Sequence, residues 1–450
     1  MQITFCGASR GVTGSCFLLE TKEKRVLIDC GMFQGSDFNE GKNSEPFPFD
    51  PKSIDAVFVT HPHLDHVGRI PKLVKEGFTG YVYMTAGAKE LARLIWNDAY
   101  HIMLYNHRKF QQPLLFDDVD IANADAVCRG VNYEEALTVG DISVTWHDAG
   151  HIFGSAFLEI CAEGKRVVCS GDLGNTDAPI IKDTRPLPDN VDLLLIESTY
   201  GDRLHESKEE RDSLLLELIK EGVERGGTIM MPAFSLERTQ EILYRLHEMS
   251  EHDRSLPRIP IFLDSPLAID ATEVYKKYPT YYDKEAFAAH TIGDDFLNFP
   301  ELRIAYTKEE SKAINGVPSP KMIIAGSGMM NGGRILHHAF RYLPDPASSL
   351  IIVGYQAEGT LGRRLYEGAS QVTIFGERVD VRCKIKAIGA LSAHADQKKL
   401  LSWVGSAKTV PNRVYCIHGE PHAATELAHR IRDQYSVQTF VPDMEEQIDV

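Results

Sequence analysis

Apolar residues come in short runs bounded by glycine or polar residues: RVLID (25–29), AVFVT (56–60), KRVVCS (165–170), VDLLLIES (191–198), GTIMMP (227–232), IPIFLD (259–264), KMIIAG (321–326), SLIIVGY (349–355) and RVYCIH (413–418). Their length and β-branched content predict buried strands. Between many of them the period lengthens to that of a helix. In SKEERDSLLLELIKEGVERGG, Leu214, Leu215, Leu218 and Ile219 form one apolar stripe. Ser207 and Glu210 make a capping box at its start, and Gly226 stops it. SLERTQEILYRLHEMS predicts another helix. The alternation predicts an α/β fold with helices packed on sheets. No internal repeat or Pro/Gly/Ser-rich linker marks a boundary. A chain of 450 residues nevertheless exceeds what one simple core organises, so two domains are expected.

Composition narrows the class. With 43% hydrophobic and 25% charged residues, the chain has the balance of a soluble globular protein. No apolar run is long enough to predict a transmembrane helix. The start, MQITFCGASRGVTGSC, reads as a strand and a glycine-rich turn rather than a secretory signal, so a cytoplasmic location is expected. The eight cysteines form no C-x-x-C pair and mostly sit in apolar runs, which predicts buried reduced thiols. The net charge of −16 argues against a protein coated in basic residues. Residues 303–386 depart from it, with 12 Lys/Arg against 7 Asp/Glu.

The chemistry gathers where strands end. THPHLDH follows AVFV and puts His61, His63, Asp65 and His66 into six positions. Imidazoles and a carboxylate crowded at one turn suit a first-row metal ion. Other strands or turns end in the same residue types: Asp29 in RVLIDCG, His151 in HDAGHIFGSA, Asp172 in KRVVCSGDLG, Glu197 in LLLIESTYG and His418 in RVYCIHGE. His394, in AIGALSAHAD, comes just before a helix. In α/β sheets, functional groups collect at the carboxyl ends of strands.

This set resembles the metallo-β-lactamase superfamily. THPHLDH fits its H-x-H-x-D-H motif, and Asp29, His151 and Asp172 fit its other core motifs in order. Glu197, His394 and His418 look like the three additional motifs of the β-CASP subgroup of nucleases, as do GSGMMNGGR (326–334) and GYQAEGTLGRRL (354–365). The resemblance runs from Gly7 to Glu420. It implies an αββα sandwich formed by residues 1–201 and 387–450, with an inserted α/β β-CASP domain at 202–386. It implies two Zn2+ per chain, with Mn2+ as the alternative. His61, His63 and His151 would hold one ion, Asp65, His66 and His418 the other, and Asp172 would bridge. Asp29 would orient a ligand histidine.

The activity so implied is that of a metal-dependent ribonuclease. A metal-activated hydroxide would attack the scissile phosphate of single-stranded RNA, with His394 as general acid and Glu197 holding His394 protonated. Cleavage would be endonucleolytic, and 5′-exonucleolytic action would also fit. Ser327, Gly328, Asn331 and Arg334 in the glycine-rich turn, with Arg363 and Arg364, are the expected RNA contacts. Many members dimerise, so a homodimer is compatible. The sequence ends about 30 residues past His418, so relatives with KH domains or long C-terminal extensions should match less well.

His147, His337, His338 and His422 are read as structural or surface residues. Three other readings compete. A lactonase- or thioesterase-like enzyme would not need Glu197, His394 or the basic segment. A DNA nuclease of the subgroup commonly lacks histidine at the position of His418. An inactive scaffold would have lost metal ligands, whereas all seven are present.

Overall fold

The structure is a computed structural model describing residues 1–35, 37–176, 178–205, 208–354, 356–388 and 393–450. The chain forms two compact units, Met1–Leu204 with His394–Val450, and His205–Ala393.

The first unit holds two seven-stranded sheets. One orders its strands Gln447–Asp449, Gln2–Phe5, Phe17–Glu20, Arg25–Ile28, Ala56–Phe58, Tyr81–Thr85, Cys128–Val131. The other orders Gln438–Phe440, Arg413–Ile417, Leu193–Glu197, Lys165–Cys169, Ala156–Ala162, Ile142–Asp148, Ala136–Val139. Side chains alternate between faces along a strand, and that alternation builds the layers. Phe5, Phe58, Trp146, Leu158, Leu193 and Leu195 pack together between the sheets. Leu27, Val57 and Val82 point the other way, onto Leu73, Ala92 and Trp96 of helices Ile70–Lys75 and Ala86–Phe110. Leu194, Ile196, Val414 and Cys416 likewise meet Leu400, Trp403, Leu427 and Ile431 of helices Gln397–Val404 and Pro421–Tyr435. The result is a four-layer αββα sandwich. Leu193–Glu197 is buried on both faces, which is why its sequence is a continuous apolar run.

The second unit is built on a six-stranded parallel sheet, ordered Leu302–Ile304, Ile261–Leu263, Lys321–Ala325, Thr228–Pro232, Ser349–Val353, Lys384–Ile388. The hairpin Gln371–Ile374/Glu377–Asp380 joins its core. The helix expected after residue 207 runs Lys208–Glu224, and Gly226 leaves it with φ 73°. Ser207, its expected cap, lies outside the described residues. The next helix, Arg238–His247, changes pitch and continues as a π-helical turn, Glu248–His252.

All eight cysteines are free thiols, and seven are buried. Among the described residues, no helix is long and apolar enough to cross a membrane.

Candidate functional site

The site is assembled from strand ends of both sheets of the sandwich. After Ala56–Phe58 the chain turns, and His63 begins the short helix Leu64–Val67. That turn aims three imidazoles and a carboxylate at one spot. The opposing sheet brings Asp172 just beyond Lys165–Cys169, Glu197 at the end of Leu193–Glu197 and His418 just beyond Arg413–Ile417. His151 lies in a turn where its backbone N–H donates to Ser155 Oγ at 3.1 Å.

Two glycines permit this crowding. A Cβ on Gly31 would fall 1.6 Å from the Asp65 carbonyl oxygen, and one on Gly174 would fall 1.6 Å from that of Gly150. The backbones carrying Asp65 and His151 can come this close only where no side chain intervenes.

Two groups of metal-ligand type result. His61, His63, His151 and Asp172 offer donor atoms within 4.8 Å of one another, and so do Asp65, His66 and His418. In the first, His61 Nε2 is 3.1 Å from His63 Nδ1, which is 3.3 Å from His151 Nε2. In the second, His66 Nε2 is 3.3 Å from His418 Nε2, which is 3.4 Å from Asp65 Oδ2. Asp172 stands between the groups. Its Oδ2 lies 3.4 Å from His61 Nε2 and 3.5 Å from His66 Nε2, while its Oδ1 lies 3.3 Å from His418 Nδ1.

These spacings fit cations better than hydrogen bonds. Three imidazole nitrogens converging on one point cannot all be satisfied by donating to each other, whereas a cation takes every lone pair. Two donors on one tetrahedral zinc stand about 3.3 Å apart. Protonation states agree in the first group. Burial pushes His61 and His151 well below the ordinary imidazole range and takes His63 down to about 4, so all three are neutral near pH 7.

A shell of oxygen atoms orients this donor set. Asp29 is fully buried and accepts from His66 Nδ1 at 2.7 Å, from Thr60 Oγ1 at 2.9 Å and from the Thr60 N–H at 2.8 Å. Thr60 Oγ1 also lies 3.1 Å from His61 Nδ1, and Thr199 Oγ1 lies 3.3 Å from His418 Nδ1. Thr60, Thr199 and Ser155 were not among the residues expected from sequence. The only signal was adjacency, since Thr60 opens THPHLDH and Thr199 closes EST.

His394 stands beside the donors. Its backbone is held locally: Gly174 forms a β-bridge with His394, and Ala395 N–H donates to the Leu173 carbonyl at 2.8 Å. His394 Nδ1 is 3.1 Å from Glu197 Oε2 and 3.8 Å from Asp172 Oδ2. Burial alone would lower its pKa, but the charges of Glu197 and Asp172 outweigh that and raise it to about 9.

Comparison with known proteins now bears on this geometry. Residues 9–197 match the model of the metallo-β-lactamase superfamily, residues 239–365 that of the Beta-Casp domain, and residues 378–442 that of the Zn-dependent metallo-hydrolase RNA specificity domain. Ribonuclease TTHA0252 of Thermus thermophilus is 41% identical over 93% of this chain and 93% of its own length. The RNase J-like protein of Methanocaldococcus jannaschii is 32% identical over 98% of this chain and 97% of its own. Transcription termination factor FttA of the same organism is 30% identical over 98% of this chain and 70% of its own. The chain belongs to the β-CASP branch of the metallo-β-lactamase superfamily. It is a metallo-hydrolase whose donor set suits divalent ions.

In this β-CASP protein the glycine-rich turn 326–334 lies in the second unit and is internally braced. Ser327 Oγ donates to the Gly332 carbonyl at 3.3 Å, and the Gly328 carbonyl accepts from Gln356 Nε2 at 3.0 Å. Asn331 Oδ1 accepts from the Leu361 N–H at 3.4 Å. Arg334, expected as an RNA contact, also has partners within its own unit. Its guanidinium donates to Asp264 Oδ1 at 2.7 Å and to the carbonyls of Ala305 and Tyr306, so it anchors the turn inside the unit. Arg363 pairs with Glu367 at 2.6 Å, and Arg364 is exposed.

The four histidines read as structural or surface residues have partners or exposure of that kind. His147 lies 2.9 Å from both Glu134 and Glu159. His338 Nε2 pairs with the buried Asp264 at 2.7 Å, His337 tilts against the Phe375 ring, and His422 is 84% exposed.

Proposed function

We propose that this chain hydrolyses phosphodiester bonds of single-stranded RNA in the cytoplasm, cutting internally, with action from 5′ ends as a compatible second mode. The observation that carries the reading is the meeting of seven metal-ligand side chains with an imidazolium held by a buried carboxylate, His394 on Glu197. The names of the ribonuclease and RNase J-like relatives, and the matched RNA specificity domain, favour RNA as the polymer.

Residues 1–201 and 387–450 would form the hydrolytic core and residues 202–386 the insertion that meets RNA. Zinc is the ion we assign, with manganese as the alternative. His61, His63 and His151 would hold one ion and Asp65, His66 and His418 a second, with Asp172 shared. Bound there, divalent ions would supply Lewis acidity to the scissile phosphate and acidify a water molecule.

The protein's own groups do the rest. Asp29 and Thr60 keep His66 and His61 in the ring orientation that presents Nε2 to the centre. The carboxylates of Asp65 and Asp172 balance cationic charge in a buried pocket. His394 keeps Nδ1–H on Glu197, so its Nε2 proton is the one passed to the departing oxygen. On giving it up, His394 becomes a neutral imidazole that still donates to Glu197. In the insertion, Ser327, Gly328 and Asn331 of the braced turn, with Arg363 and Arg364, would meet backbone phosphates, and Arg334 would hold that turn in place.

The test is cleavage of a 5′-labelled single-stranded RNA beside the matching DNA, with zinc or manganese added and Asp65→Ala as control. Mid-length RNA fragments that vanish in Asp65→Ala are expected, and labelled mononucleotide would add the 5′-exonuclease mode. Cleavage of DNA alone would make the protein a DNA nuclease. Loss of neither polymer by a metal-loaded protein would point to a small-molecule hydrolase.

A further inference from the structure

A second set of donor atoms lies in the His205–Ala393 unit. His247, His252 and Asp294 bring ligand-type atoms within 4.8 Å of one another. We infer that this unit carries its own divalent-cation site, of a kind suited to zinc, built from these three side chains.

Backbone geometry makes the cluster. His247 ends the helix Arg238–His247, and the next five residues wind as a π-helical turn in which Asp253 N–H donates to the Glu248 carbonyl. A π turn brings residues five apart onto one face, so His247 and His252 meet edge to face, with ring centroids 5.5 Å apart and planes at 82°. An ordinary α-helix would set two residues five apart on different faces. Single π turns are rare and recur at functional sites. Asp294 comes from the turn after helix Lys284–Thr291. Phe296, two residues on, is buried against Tyr244 of the first helix and fixes that turn there.

The hydrogen bonding prepares the histidines as ligands. His247 is only 4% exposed, and its Nδ1 lies 2.9 Å from the Asn298 carbonyl oxygen. A carbonyl can only accept, so Nδ1 carries the proton and Nε2 keeps its lone pair in the neutral ring. Nε2 is buried and makes no hydrogen bond. It lies 3.4 Å from Asp294 Oδ1, close to the roughly 3.3 Å expected of two donors on one tetrahedral zinc. His252 Nδ1 is held 2.9 Å from Glu248 Oε1, and its other nitrogen remains to bind. A ligand histidine held through its second nitrogen by a carbonyl or a carboxylate is the usual arrangement around protein-bound metals. Three protein ligands would leave one coordination position for water.

Zinc content of the full chain tests this, after chelation, reloading with zinc and removal of excess. His252→Ala and Asp294→Asn change partly exposed side chains outside the hydrolytic centre. Each is expected to hold one zinc fewer per chain than the unaltered protein and to cleave substrate as before. A protein carrying His63→Ala, His151→Ala, Asp65→Ala and His418→Ala, which breaks both donor groups of the hydrolytic centre, is expected to keep one zinc, and to lose it when His252→Ala is added. Equal zinc in the unaltered protein and both single variants would overturn the site and leave a histidine–carboxylate pair. That result would not touch the proposed ribonuclease activity, which depends on other residues.

Discussion

Glu197 Oε2 lies 3.1 Å from His394 Nδ1, and the carboxylate is fully buried while the imidazole is partly open. A fixed negative charge on one side of a ring keeps the proton on the other side available. His394→Ala should therefore lower kcat by about 10²–10⁴-fold, the usual contribution of a positioned acid. Metal content should not change. A variant that cleaves at the unaltered rate would remove His394 from the mechanism.

The same pair sets a pH dependence. His394 must be protonated to act, and its pKa is held at about 9 by Glu197 and Asp172 against burial. Activity should thus fall as pH rises through that region. Glu197→Gln removes the nearer negative charge, so the imidazolium loses support and the falling limb should move to lower pH. A pH–rate profile with an unmoved alkaline limb in Glu197→Gln would show that another group titrates there.

Much of this architecture is legible in the chain because fully buried strands write themselves as unbroken apolar runs. All nine runs singled out are strands, and Leu193–Glu197 shows why, since each of its faces meets a different apolar layer. Sheet order is not legible. Arg413–Ile417 pairs with Leu193–Glu197 across some 200 intervening residues, and no local pattern encodes that choice. Convergence of His61, His151, Asp172 and His418 could be expected because each ends a strand or follows one. Thr60 and Thr199 were invisible because a threonine beside a ligand is an ordinary residue until the ring it faces is known. The pairing of Arg334 with Asp264 was invisible for a similar reason: Asp264 follows the strand Ile261–Leu263, 70 positions away.

Asp29 should matter for metal affinity more than for folding. It accepts from His66 Nδ1 and from both donors of Thr60, which in turn lies against His61. Asp29→Asn keeps the shape but loses the anionic acceptor. Orienting partners of this kind typically change metal affinity by about 10–100-fold. Competitive chelator titration should show that weakening, with Thr60→Val showing a smaller one. Unchanged affinity in Asp29→Asn would mean the donor set holds its geometry without it.

Gly174→Ala should act at a distance from any ligand atom. The added methyl would stand 1.6 Å from the Gly150 carbonyl oxygen, and that carbonyl belongs to the residue before His151. Backbone cannot yield as a flexible side chain does, so the strand end must shift. Overpacking of this kind costs about 1–3 kcal/mol and here also moves His151 off its partners. Both a lower Tm and weaker metal binding are expected, and a stable variant with full metal content would show that the turn can relax.

His147 predicts a pH dependence of stability separate from catalysis. Burial lowers its pKa, but the carboxylates of Glu159 and Glu134 outweigh that and raise it above the usual value. A histidine with a raised folded pKa stabilises the fold fully below the unfolded value of about 6.5. The gain is lost as pH rises through the folded pKa. His147→Gln should therefore lower Tm clearly at about pH 5.5 and much less at about pH 8.5. Equal losses at both values would mean that the ring stabilises by stacking on Phe157, 4.9 Å away, rather than by charge.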